Sequence, residues 1–164
     1  GVLWAPYLMG ERTPHLDSSV RAALVGLAAS HTRGHVVRAV LEGVAFSLRD
    51  TFTIFGEMKV PVERIRLGGG GARSPLWGEI QAAAYGHPVE TVTAEEGAAY
   101  GAALLAGVGS GIWPDVDAAC DAGVHTANVI TPAADAVAAM TRQYELYRRV
   151  YPALRAIYRE GSHA

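Results

Sequence analysis

Arg64-Ile65-Arg66-Leu67-Gly68-Gly69-Gly70-Gly71-Ala72-Arg73-Ser74-Pro75-Leu76-Trp77 reads as a short strand that breaks into a glycine turn and opens into a helix. The glycines at 68–71 remove every Cβ from the turn, so a ligand can approach the backbone closely. The helix that follows offers unpaired N–H groups and a positive dipole end. This is the outline of a nucleotide site, although the spacing is neither GxGxxG nor GxxxxGK[ST] and so argues against a dinucleotide fingerprint or a P-loop. On the glycines alone, a flexible strand-to-helix connection stands as the other reading.

Outward from this turn the chain reads as α/β. Val2 to Leu8 is extended, Gly10 to Asp17 is a polar loop, and Ala22 to Leu27 is a second strand. Val37, Val40, Leu41, Val44, Ala45, Leu48, Phe52 and Phe55 recur at helical intervals, predicting a helix over 32–55 with Arg38, Arg49 and Asp50 on its other face. Ser30 or Thr32 caps it and Gly56 stops it. After the turn, Ser74 caps a helix with Pro75 at its first position and Leu76, Ile80, Ala83 and Ala84 on its buried side, closed by 85–88. Val89 to Val92 is a strand, and Glu95 to Gly107 is a helix whose Gly97 and Gly101 leave one face without bulk. Pro114 starts a short helix, and Ala133 to Tyr158 is a long one, striped by Val137, Met140, Tyr144, Tyr147, Tyr151, Leu154 and Tyr158 and kinked or interrupted at Pro152.

Composition narrows the function classes. The 164 residues fit one domain, and half of them are apolar, with Ala and Gly giving an α/β bias. A net charge of −2 without a basic block argues against a nucleic-acid or anionic-membrane surface. The single cysteine, Cys120, suits a reducing cytoplasm and offers no metal spacing, and no signal peptide or membrane span is expected. His31 and His35 lack a third ligand at a recognisable spacing, so capping or surface roles are favoured over metal binding. Glu95-Glu96 are acids placed for a helix dipole rather than a catalytic pair. Arg142, Arg148, Arg149, Arg155 and Arg159 read as a solvated helix face, and Glu11, Arg12 and Thr13 as a loop pinned by an Arg–carboxylate pair or, alternatively, as cleft lining.

Three further segments, Glu96-Gly97-Ala98-Ala99-Tyr100-Gly101-Ala102-Ala103-Leu104-Leu105-Ala106-Gly107, Gly111-Ile112-Trp113 and Arg38-Ala39-Val40-Leu41-Glu42-Gly43-Val44-Ala45-Phe46, join the glycine turn in a collinear resemblance to the C-terminal half of FGGY carbohydrate kinases. Tyr7-Leu8-Met9-Gly10-Glu11-Arg12-Thr13-Pro14-His15 resembles the members that phosphorylate a pentulose, D-xylulose first among them. The resemblance implies an actin-like ATPase, ribonuclease H-like fold: a mixed sheet flanked by helices, with residues 1–164 forming the nucleotide-binding C-terminal domain. It implies ATP with Mg²⁺, and γ-phosphoryl transfer to a sugar hydroxyl. It places the nucleotide against Gly70, Gly71, Ala72, Arg73 and Ser74, with Gly101 nearby.

The general base, metal-linked carboxylate and most sugar contacts would then lie in an N-terminal half that this chain lacks, so it carries no catalytic residue and is expected to be inactive alone. It would associate with that half or with itself. Some relatives place an Asn at Pro75, where proline cannot donate a hydrogen bond. Arg73 reaches adenine or phosphate, or is a solvated turn residue. Glycerol, ribulose or gluconate kinases of the family, and a non-catalytic actin-like binding module, are the other readings.

Overall fold

The structure is a computed structural model and describes residues 1–93 and 97–161. Its elements run β1 (Leu3–Ala5), β2 (Ala23–Val25), α1 (Arg33–Glu57), β3 (Arg66–Leu67), α2 (Pro75–Tyr85), β4 (Val89–Val92), α3 (Gly97–Gly109), α4 (Val116–Gly123), β5 (Thr126–Ile130), α5 (Ala134–Tyr147) and α6 (Val150–Gly161). β1 and β2 form an antiparallel pair with Leu3 opposite Val25. β3 and β4 run parallel, with Leu67 opposite Thr91, and β4 pairs antiparallel with β5 from Val89–Ile130 to Val92–Thr126. The expected mixed sheet flanked by helices is therefore present.

The strand β5 departs from the sequence expectation, which has no strand after β4. Thr126, Ala127, Asn128 and Val129 are all exposed on this outer strand, so it carries no alternation of buried and exposed residues to mark it. The kink or interruption expected from Pro152 takes the form of a break between α5 and α6 at Arg148 and Arg149. Proline's missing N–H and ring act on the carbonyl four residues earlier, which is that of Arg148. Pro152 itself sits in the first turn of α6, where its missing donor costs nothing.

α1 buries a different stripe from the one its large residues suggest. Ala39, Gly43, Phe46 and Asp50 face inward, while Val37 and Leu48 are exposed. Small residues set this orientation: a Cβ on Gly43 would lie 2.1 Å from the Trp4 carbonyl oxygen, so helix and strand touch backbone to backbone. Asp50, expected on the polar face, is consequently buried and accepts a short hydrogen bond from the Tyr144 hydroxyl. Thr32 is the N-cap, and His35 returns its Nδ1 to accept the Thr32 N–H at 3.1 Å.

Gly56 does not stop α1. Lys59 does, in the left-handed region at φ 57, with its N–H on the Gly56 carbonyl at 3.1 Å and the Val60 N–H on that of Phe55 at 2.9 Å. α4 likewise starts later than Pro114, at an Asp115 cap whose carboxylate accepts the Ala118 N–H at 2.8 Å. The main core joins β1, α1, α2, α5 and α6 through Phe46, Ile80, Met140, Tyr144 and Tyr147, with Tyr7 and Tyr147 bonded hydroxyl to hydroxyl at 2.9 Å. A smaller core of Ile65, Leu67, Ala82 and Val89 sits behind the glycine turn and fixes β3 against α2.

Candidate nucleotide-binding site

The turn does not pass straight into α2. Gly69 takes φ 74, which favours glycine, and Gly70–Arg73 then make one turn of 3₁₀ helix before Ser74. The Ala72 N–H binds the Gly69 carbonyl and the Ser74 N–H that of Gly71, both at 3.1 Å. The first N–H groups of this turn, at Gly70 and Gly71, have no partner within it. Ser74 caps α2 as expected, its hydroxyl accepting from the Trp77 N–H at 3.3 Å, and Pro75 occupies the first helical position. Ile80, Ala83 and Ala84 are buried, but Leu76 is exposed at the helix start.

Two adjoining hollows open beside this turn. The smaller, of about 220 Å³, is walled by Leu67, Gly69, Ala72, Arg73, the end of β4 at Thr91 and Val92, and Thr93 just after it. The larger, of about 320 Å³, lies between α3 and α4 and is almost wholly apolar. Gly68 and Val92 line both. Gly97, Gly101, Leu104 and Val108 form one face of α3 toward the larger hollow, opposite Val116, Ala119 and Cys120 of α4.

The expected site residues thus divide. Ala72 and Arg73 border the smaller hollow and Gly101 the larger, and Gly68 links the two. Gly70, Gly71 and Ser74 line neither. Gly71 sits under the Trp77 indole, a Cβ there lying 3.2 Å from ring atoms, and Arg73 folds back toward Gly70, where a Cβ would be 3.6 Å from its Nη2. A Cβ on Gly101 meets nothing within 4 Å, so its missing side chain leaves open space in the hollow. Leu104, Val116 and Cys120 went unselected by sequence reasoning: helical spacing with Gly97 and Gly101 carries the signal for Leu104, whereas Val116 and Cys120 stand on α4 and are brought in only by the pairing of the two helices. Glu95 and Glu96 lie outside the described residues.

The chemistry of these walls is specific. Gly97 and Gly101 leave the α3 wall of the larger hollow without side-chain bulk, and among the described residues its lining offers no charge to hold a hydrated ion. Among the described residues its lining carries one hydroxyl, that of Tyr100, which donates to the Gly123 carbonyl at 2.9 Å and locks α3 to α4. Among the described residues, Arg73 is the charged one on the smaller hollow. The nearby carboxylate of Glu90 is held by Arg64 at 3.1 and 2.8 Å, which keeps it below the ordinary glutamate range and therefore anionic.

The remaining candidates resolve into structural roles. His31 Nδ1 accepts the Ala28 N–H at 2.8 Å, and His35 belongs to the α1 cap. Among the described residues no His, Cys, Asp or Glu group could hold a metal, and no helix is long and apolar enough to cross a membrane. The loop after β1 is pinned by Glu11, but not through Arg12: the Glu11 carboxylate accepts the backbone N–H groups of Thr13 and His15 at 2.6 and 2.8 Å.

The chain is similar over most of its length to known carbohydrate kinases. The xylulose kinase of Bacillus subtilis is 37% identical over 151 residues, covering 92% of this chain but 30% of that protein. The glycerol kinase of Gloeobacter violaceus is 40% identical over 116 residues, covering 70% of this chain and 23% of its own length. Among solved structures, the gluconate kinase of Lactobacillus acidophilus superposes with a TM-score of 0.84 at 28% identity, over 99% of this chain and 32% of that one. The chain therefore spans less than a third of the relatives it matches. Residues 1–110 match the C-terminal domain of the FGGY family of carbohydrate kinases, and the chain belongs to that family.

Proposed function

We propose that this chain is the nucleotide-binding part of an ATP-dependent sugar kinase, and that its paired hollows take the adenosine end of ATP. The observation that carries this reading is the junction at Gly68 and Val92, where an apolar hollow of about 320 Å³ meets a Cβ-poor turn bearing one arginine. The base enters beside Gly101. Ala72 and Arg73 flank the sugar and phosphate side, the free N–H groups of Gly70 and Gly71 favour negative charge there, and Ser74 holds the turn by capping α2. The described residues provide no metal cluster, so Mg²⁺ is assigned no ligand in this chain. The general base and the sugar contacts are assigned to an N-terminal domain, without which the chain is inactive.

The sugar we assign is a pentulose, D-xylulose. Likeness to a xylulose kinase runs through 92% of the chain, whereas the glycerol kinase likeness covers 70%. Gluconate is the second reading, favoured by the close superposition of the gluconate kinase.

Calorimetric titration of ATP into the chain tests the site. Gly101→Leu is the informative variant, because a side chain there enters open space and should leave the fold intact. Binding by the native chain that is lost in Gly101→Leu is expected. Equal affinity in the two proteins places the nucleotide elsewhere, and no ATP binding by the native chain rejects the reading. Phosphorylation of xylulose, gluconate and glycerol by the complete kinase then identifies the sugar.

A further inference from the structure

The loop between β1 and β2 holds large apolar side chains in solvent while being tied down by hydrogen bonds to the carboxylates of Glu11 and Asp17. Met9 is 93% exposed, Leu16 82% and Leu8 65%. Glu11 and Asp17 exchange backbone hydrogen bonds at 2.9 and 2.8 Å, and the Glu11 carboxylate captures the N–H groups between them. Asp17 accepts from the Ser19 hydroxyl at 2.6 Å and from the Tyr151 hydroxyl at 2.8 Å, the latter reaching from α6. His15 stacks on the Tyr151 ring at 3.6 Å and 6°, and Tyr7 meets both rings edge-on.

Within this brace Leu16 takes φ 47, a left-handed conformation unfavourable for any residue with a Cβ. Such strain persists only where the surroundings over-determine it. The loop is thus fixed in a shape that keeps Leu16 outward. Arg12, also exposed, makes no ion pair among the described residues.

We propose that this loop is a preformed docking surface for the N-terminal domain of the kinase, with Met9 and Leu16 entering an apolar patch and Arg12 meeting a carboxylate on that domain. Tyr151 is its positioning residue. The occupant follows from length: more than two thirds of each relative's chain lies outside the region matched here, and that remainder has to meet this domain somewhere. A patch held rigid before contact loses little entropy on docking. The inference rests on the kinase reading given above and deepens it by naming the partner's contact.

Cysteine labelling tests it. Leu16→Cys and, as a comparison site on α5, Leu146→Cys are each made with Cys120→Ser, both in the 164-residue chain and in the complete kinase with its N-terminal domain. Maleimide labelling at position 16 is expected to be roughly tenfold slower in the complete kinase, with position 146 reacting alike in both. Equal rates at position 16 in the two proteins, or equal slowing at both positions, would overturn the proposal. Either result leaves the ATP titration unaffected, so failure of the docking surface and failure of the nucleotide site are distinguishable.

Discussion

The α-carbon of Gly43 faces the carbonyl oxygen of Trp4 so closely that a Cβ would stand 2.1 Å from it. This approach seats α1 on β1 and lets Phe46 and Asp50 reach the core. Gly43→Ala must push helix and strand apart, and overpacking of this kind costs about 1–3 kcal/mol. Urea denaturation should show that loss. Gly56→Ala in the same helix is the contrast, since a Cβ there meets nothing within 4 Å and the substitution should stabilise by about 0.5–1 kcal/mol. Equal effects at the two sites would refute the close-contact explanation.

Lys59 ends α1 in a conformation that glycine adopts without penalty. Lys59→Gly should therefore stabilise the chain by up to about 1 kcal/mol, reduced by the extra freedom glycine brings to the unfolded state. The effect belongs in the thermal midpoint, and a destabilised variant would mean that the Lys59 side chain contributes more than its backbone costs.

The same residue shows where sequence reading reached its limit. Nearly every strand and helix was legible because capping and punctuation are local: Thr32, Ser74 with Pro75, and Gly86 act within one turn of their own positions. The stop at Lys59 was not legible, since any residue can be forced left-handed by the bonds around it. The buried face of α1 was hidden for a related reason. Counting large apolar residues points to Val37 and Leu48, but close packing is set by Ala39 and Gly43. At the site, the glycine turn announced itself, whereas the slot between α3 and α4 depends on a pairing of helices that no single segment encodes. Its α4 wall, including Cys120, came only from the fold.

Asp50 gives stability an unusual pH dependence. Burial pushes its carboxyl above the ordinary aspartate value of 3.8, and the Tyr144 hydroxyl and nearby cations only partly oppose this. A carboxyl raised in the folded state contributes most while protonated, below its ordinary pKa, and that contribution is lost as pH rises through the folded pKa. Asp50→Asn keeps an acceptor for Tyr144 and removes the charge. Denaturation midpoints of the native chain, taken upward from about pH 4, should fall relative to those of Asp50→Asn. A constant difference across that range would show that Asp50 is not the titrating group.

Cys120 supplies a test of the slot that does not depend on turnover. It lines the larger hollow opposite Gly101 and is half-buried, so a small alkylating agent reaches it through the space assigned to the base. It is also the chain's single cysteine, which makes mass spectrometry of the intact protein an unambiguous readout. Saturating ATP should slow iodoacetamide modification of Cys120 by about tenfold, as expected for a ligand occupying the hollow in about nine molecules of ten. Adenosine should protect as well, because the apolar slot takes the base, whereas inorganic triphosphate should not. Protection by triphosphate alone would move the phosphates into the slot and reverse the proposed orientation. Modification at the same rate with and without ATP would remove the nucleotide from this hollow altogether.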